Sequence, residues 1–435
     1  MPTPSRDAPR GRPAPLRAVL LLTWISTCAL MAFQIGGPFL AESAYGFSRT
    51  EKFALVLLTN IGYIPSALFV GPALRRLAER TPWLSTRDVL AGLITVLSLC
   101  SMVPFVADAL GGDALGRPAL WGSALVLGSL SGAVWPIVES YLSGARRAQQ
   151  LRRATGLFNL SWASAGMFVL FAMSPFVSEA PLLILLIAGL IHLGSLACIF
   201  SLTPEPAKHL EEHHEPHPPV YRRLLVLLRF ELPLSYVVLS AIIAAMPDAT
   251  AQVGVHPKWR AALASTWMVA RLVSFWFMQR GEQWHGRWRT PLLGGGLMLV
   301  GFALALLAPL RIPGALDAWA LTLGLTLFGL GQGVVYAAAI YYAMEVGSAS
   351  VDAGGTHEAV IGGGYLLGPL AGLAAGWVAA SPGQAGGIPF DLALVAIVGA
   401  MGVLAIGGGA WLARRAGAGR EESPPPAGTP QRAEA

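Results

Sequence analysis

Gly132-Ala133-Val134-Trp135-Pro136-Ile137-Val138-Glu139-Ser140-Tyr141, the basic residues Arg146, Arg147, Arg152 and Arg153, then Gly156-Leu157-Phe158-Asn159-Leu160-Ser161-Trp162: this stretch decides the fold. It reads as the end of one apolar helix, a short basic turn and the start of the next. A carboxylate inside an apolar helix is costly, which makes Glu139 a functional candidate. The same layout returns in the second half of the chain. There Gly333-Val334-Val335-Tyr336 leads to Tyr341-Tyr342, and Gly355-Thr356-His357-Glu358 opens the next span. Identity between the copies is sparse; the hydropathy pattern is what repeats.

Composition agrees. The chain has 435 residues, 54% hydrophobic and 12% charged, with a mean hydropathy of +0.58. A soluble domain carries roughly 25% charged residues, so this is a polytopic membrane protein. The net charge of +6 is no sign of a nucleic-acid partner, because the basic residues sit mostly in short loops. Cys28, Cys100 and Cys198 are far apart and inside apolar runs, which fits packed thiols rather than disulfides or a metal site. Arg6, Arg10, Arg12 and Arg17 precede a first apolar run too long for a signal peptide, so that run reads as a retained helix.

Apolar runs long enough to span a bilayer predict twelve helices. In the first half they cover Leu16 to Ala41, Phe53 to Leu74, Val89 to Ala109, Leu120 to Leu142, Thr155 to Val177 and Pro181 to Leu202. A polar linker, residues 203–223, follows. The second half gives Leu224 to Ala245, Ala261 to Met278, Pro291 to Leu310, Ala318 to Met344, His357 to Ala380 and Phe390 to Leu412. The expected organisation is a tail (1–15), a six-helix bundle (16–202), the linker, a second bundle (224–412) and a disordered tail (413–435). Arg49, Lys52, Arg117, Lys258, Arg260 and Arg311 are the basic residues of one set of loops. Apart from Arg271, inside a span, the rest fall on the linker side. That imbalance predicts both termini and the linker in the cytoplasm, in a bacterial inner membrane.

Six spans, a polar hinge and six more is the layout of a rocking transporter. The chain resembles the major facilitator superfamily over Leu16 to Leu412. The resemblance implies an all-α fold of two parallel six-helix bundles. It implies that the first, fourth, seventh and tenth spans line a cavity, while the third, sixth, ninth and twelfth face lipid. The family's motif after the second span is carried by Gly71-Pro72-Ala73-Leu74-Arg75-Arg76-Leu77-Ala78-Glu79-Arg80, with Arg75 where the family has an acid. Arg75 and Arg76 are thereby candidate gate residues. The fourth span lacks the family's embedded arginine. A Gly-Pro element falls in the eleventh span, Gly362 to Pro369, rather than in the fifth.

Glu139 shares a helix face with Trp135 and Ser143, four residues to either side. An aromatic ring, a carboxylate and a hydroxyl on one stripe suit a proton or substrate site; a structural ion pair is the alternative. Arg271, flanked at i−4 and i+4 by Trp267 and Phe275, suits an anionic group or a cation–π contact. Its alternative is a permanent ion pair with Glu139, Glu358 or Glu345. His357 and Glu358 suit a proton relay, or a helix cap and gate after the Gly-rich turn. Asn159 is the first-half counterpart of Glu358. Gln34 beside Gly36-Gly37-Pro38, Tyr236 with Ser240, Gln332 and Tyr336 complete a mixed polar and aromatic cavity. The linker's His209 to His217 run reads as a solvated hinge rather than a metal site. No phosphate-binding loop of the Walker type is present, and no cofactor is expected.

These observations predict a secondary transporter, not an enzyme, that moves a small organic solute by alternating access. Protons are the candidate coupling ion, the bilayer is the other partner, and a monomer is expected. A sensor or scaffold, and a lipid-handling protein on the same fold, are the competing readings.

Overall fold

The computed structural model describes residues 12–146, 148–207, 218–311, 316–346, 351–380 and 388–418; no strand occurs among them. Among the described residues, twelve helices are long and apolar enough to cross a membrane. They are α1 (Leu16–Gln34), α2 (Arg49–Arg80), α3 (Thr86–Gly111), α4 (Asp113–Ser143), α5 (Gln149–Phe176) and α6 (Pro181–Ile199) in the first half. The second half has α7 (Pro219–Gln252), α8 (Pro257–Arg280), α9 (Arg289–Leu310), α10 (Leu316–Ala343), α11 (Gly355–Ala380) and α12 (Phe390–Arg415). The expected disordered tail 413–435 begins as helix, since the last helix runs to Ala418; its remainder, 419–435, and the His/Glu run 209–217 lie outside the described residues.

Local chemistry sets the helix ends. Ser48 with Glu51, and Ser85 with Asp88, form reciprocal caps that start α2 and α3. Gly112, at φ 57°, turns α3 directly into α4. The fourth helix therefore starts at Asp113, before the expected Leu120, and carries Arg117 inside it. Pro219 and Pro257, at first helical positions, start α7 and α8 ahead of Leu224 and Ala261. The Gly36-Gly37-Pro38 break ends α1 at Gln34 and begins a short helix, Gly37–Tyr45. The helical segment that contains α11 begins at Val351. His357 and Glu358 thus lie past its first turn, and Thr356 is not its cap.

The two halves repeat their packing. Gly128 and Gly132 lay α4 on the backbone of Thr59 and Tyr63 in α2. Gly329 and Gly333 lay α10 on the backbone of Trp267 and Arg271 in α8. Across the molecule, α2 packs on α7 and α11, and α5 on α8. Of the apolar stretch of α7, 78% is buried, against 28% for α12 and 33% for α3. The seventh helix is accordingly central, and the third and twelfth are peripheral.

Candidate functional site

A cavity of about 70 Å³ sits where the halves meet. Thr27, Leu30, Met31 and Gln34 reach it from α1, Tyr63 from α2, Trp135 and Glu139 from α4, and Phe158 and Trp162 from α5. The other half supplies Tyr236 (α7), Tyr336 (α10), and Glu358, Ile361 and Tyr365 (α11). Each bundle thus contributes one carboxylate. Tyr63 donates a hydrogen bond to Glu358 across the interface between the halves. Glu139 makes no hydrogen bond or ion pair among the described residues, and it faces the cavity half-buried.

Aromatic rings form a connected wall. Tyr63 lies 6.1 Å from Tyr365, which lies 4.8 Å from Tyr236. Tyr236 is 6.3 Å from Tyr336, and Tyr336 is 5.6 Å from Trp162. Arg271 is 1% exposed and stands outside the lining. Its guanidinium carbon lies 4.1 Å from the Trp162 ring centre, 4.8 Å from Tyr336 and 5.2 Å from Phe275. Its Nε and Nη2 are buried without a hydrogen-bond partner. No carboxylate among the described side chains pairs with it; the Glu345 side chain is outside that set.

A second space, about 600 Å³, opens on the side of the linker between α5 and the α8–α10 region. Asn159 lines it with Gln149, Gln150, Arg153, Gln279, Glu282, His285 and Tyr341. Phe275 lines this groove and meets Trp162 of the central cavity at 6.0 Å, so that aromatic pair separates the two spaces.

On the opposite face, charges from both halves are interlocked. Lys52, 1% exposed, binds Glu42 from its own half and Asp248 from the other, the latter at 2.8 Å. Arg49 reaches Asp248 at 3.1 Å and Asp391 at 3.7 Å, and Arg260 reaches Glu42 at 3.8 Å. A buried lysine held between two partly exposed carboxylates is expensive to strip of both partners.

The remaining candidates fall elsewhere. Trp267 is buried against Phe328, at 5.6 Å, and does not touch the Arg271 guanidinium. Its side chain leaves α8 on the face turned toward α10. Gln332 is fully buried, with both amide atoms unpartnered, and lines neither space. Ser143 is not among the lining residues, and Ser240 donates to the Tyr236 carbonyl. Arg75 and Arg76 are exposed at the end of α2. His357 is half-buried, with Nε2 unpartnered. Glu358 sits in the central cavity rather than at the mouth expected of a gate.

Sequence reasoning left Trp162, Phe158, Tyr365 and the Lys52 cluster out of the site. Ile361 and Tyr365 stand three and seven residues after Glu358, on one helix face, and that spacing was available to find them. Glu231 was also passed over. It is fully buried in α7 beside Gly295, with neither carboxylate oxygen partnered.

The description Major Facilitator Superfamily matches residues 19–369. The chain belongs to the major facilitator superfamily. Among curated proteins no sequence matches it. Solved structures agree on the fold. A crystal structure of an aspartate-to-alanine mutant of the nucleoside transporter NupG superposes with a TM-score of 0.63 at 12% identity, covering 90% of this chain and 98% of that one. A second NupG crystal structure gives 0.61 at 12% identity, covering 90% and 97%. This superfamily member is thus a multi-pass membrane transporter of all-α, twelve-helix architecture.

Proposed function

We propose that this protein carries a small organic solute across a bacterial inner membrane by alternating access, coupled to protons through Glu139. The observation that carries this reading is the central cavity, to which each half brings one carboxylate. Rocking two bundles about such a cavity changes every distance across it, so the site's affinity can differ between its two orientations. The interlocked charges around Lys52 support closure of one face, and the groove at Asn159 supports access from the other. On this reading the linker face is cytoplasmic and the described arrangement is the inward-open side of the cycle, narrowed at Trp162 and Phe275.

Glu139 suits the coupling role because it faces the cavity and has no ion-pair partner among the described residues. It can therefore exchange a proton without first breaking a salt bridge. Arg271 sets the potential of the site from beneath the aromatic wall. Asn159 lies along the linker-side approach.

The test is flux. Full-length protein is reconstituted in liposomes holding a pH-sensitive dye, and a small-metabolite extract is added outside under an imposed pH gradient. Wild type should give a solute-dependent change of internal pH, and Glu139→Gln should abolish it while solute counterflow persists. An unchanged proton signal in Glu139→Gln would remove Glu139 from the mechanism.

A further inference from the structure

We infer that the solute is an organic cation: an ammonium or similar group on an aromatic or apolar body. This rests on the reading of the central cavity as the transport site. Three observations converge on it.

The first is charge. Glu139 and Glu358 line the cavity, and among the described residues no lysine, arginine or histidine does. An anionic solute would meet two acids. A neutral one could donate hydrogen bonds to the acids, as the Tyr63 hydroxyl does to Glu358, but would leave their charge uncompensated. A cation placed between the two carboxylates draws on both halves at once.

The second is the wall. Tyr63, Trp135, Trp162, Tyr236, Tyr336 and Tyr365 present rings around the same space. Ring faces carry negative potential and attract cations, most strongly where water is excluded.

The third is that two of these rings already hold a cation. The Arg271 guanidinium lies 4.1 Å from Trp162 and 4.8 Å from Tyr336, with no carboxylate among the described side chains in ion-pair range. These rings, with the Tyr236 side chain beside the guanidinium, hold a buried positive charge here. Arg271 approaches them from outside the cavity and leaves the cavity side of the wall to the solute. As an anion anchor it would have to leave three rings to reach a ligand.

Purified full-length protein in lipid nanodiscs is titrated with benzyltrimethylammonium, with phenylmethanesulfonate as an anion of similar shape and with uridine as a neutral solute. The quenching of tryptophan fluorescence is followed, and affinity is read from the midpoint of each titration. The ammonium should bind at least tenfold more tightly than either comparison solute. Glu139→Gln and Glu358→Gln should each weaken it about tenfold. Size-exclusion profiles identify any variant that fails to fold, and Trp162→Leu, which leaves both acids in place, provides a further variant that should also weaken the ammonium. Preference for the sulfonate or for uridine, or unchanged ammonium affinity in folded Glu139→Gln and Glu358→Gln, overturns the inference. Proton-coupled flux of some other solute without ammonium binding overturns the cation class and leaves the transport reading standing. Selective ammonium binding without flux supports the cation class and removes transport.

Discussion

In the first half, Gly128 and Gly132 seat α4 on Thr59 and Tyr63; in the second, Gly329 and Gly333 seat α10 on Trp267 and Arg271. The two seats are equivalent, and in each an aromatic residue three positions after the second glycine turns into the cavity: Trp135 in one half, Tyr336 in the other. What the seats present is opposite. Tyr63 offers a hydroxyl that holds an acid of the other half, and Arg271 offers a guanidinium that lies under Trp162 of the other half. Glu139, seven residues after Gly132, has Ile340 at the matching place. The backbone repeat has been kept where helices touch, and the side chains have diverged where the halves meet. A symmetric scaffold thus carries an asymmetric charge distribution, with the unpaired acid on one side and the cation on the other.

The strongest way to break the comparison is to remove a seat. A Cβ on Gly128 would fall 1.3 Å from the Thr59 carbonyl oxygen, and one on Gly329 would fall 2.1 Å from that of Trp267. Backbone cannot yield as a flexible side chain can, so overpacking here should exceed the usual cost of about 1–3 kcal/mol. Gly128→Leu and Gly329→Leu should both abolish monodisperse protein on size exclusion. Gly296→Leu, at a position with open space beside it, should elute as wild type. If only one of the two seat variants fails, the halves are not equivalent in packing.

A smaller effect separates the chemistry of the seats. Arg271 has three rings and, among the described side chains, no carboxylate, so its charge rests on delocalisation and stacking. Lysine keeps the charge but concentrates it on a strongly hydrated ammonium that cannot stack as a plane. Methionine removes both the charge and its desolvation cost, and apolar replacement of buried ions is often neutral. Arg271→Lys should therefore lower Tm, by the equivalent of about 2 kcal/mol if the desolvated cation–π contacts are lost. Arg271→Met should stay near wild type. The reverse order in a thermal-shift assay would mean that charge alone, not stacking, holds this residue.

Legibility in the sequence followed the same division. Twelve spans were readable because apolar length is a property of each segment alone. Their ends were less so, since Gly112 and the prolines at 219 and 257 act through single residues the hydropathy pattern does not see. Glu139, Trp135, Gln34, Tyr236, Tyr336 and Glu358 all reach one cavity because a polar or aromatic residue in an apolar helix has few other places to go. Trp267 was drawn in by its spacing from Arg271, yet packs on Phe328. Neighbours on a helix face share a direction, but helix contacts decide which of them meets the other half. Lys52 read as a loop cation that helps set orientation. Its partners Glu42 and Asp248 come from opposite halves, and no local pattern announces a contact across so long a separation.

The finest test of the asymmetry lies at Tyr63. Its hydroxyl is the described hydrogen-bond partner of Glu358, and its ring also contacts Tyr365. Tyr63→Phe keeps the ring and deletes only the donor, so packing is preserved and the change isolates one hydrogen bond. Bonds to charged groups contribute roughly 1.5–3 kcal/mol and neutral ones about 1, so even the larger figure costs only a modest part of Tm. The consequence for the site runs the other way. A Glu358 freed from Tyr63 has its full acceptor capacity turned to the cavity, so a cationic solute should bind Tyr63→Phe as tightly as wild type or more so, while Tm falls slightly. If Tyr63→Phe instead weakens the ammonium as much as Glu358→Gln does, the hydroxyl is what holds the carboxylate in its productive place. The seat in the first half would then position an acid as firmly as its counterpart in the second half positions a cation.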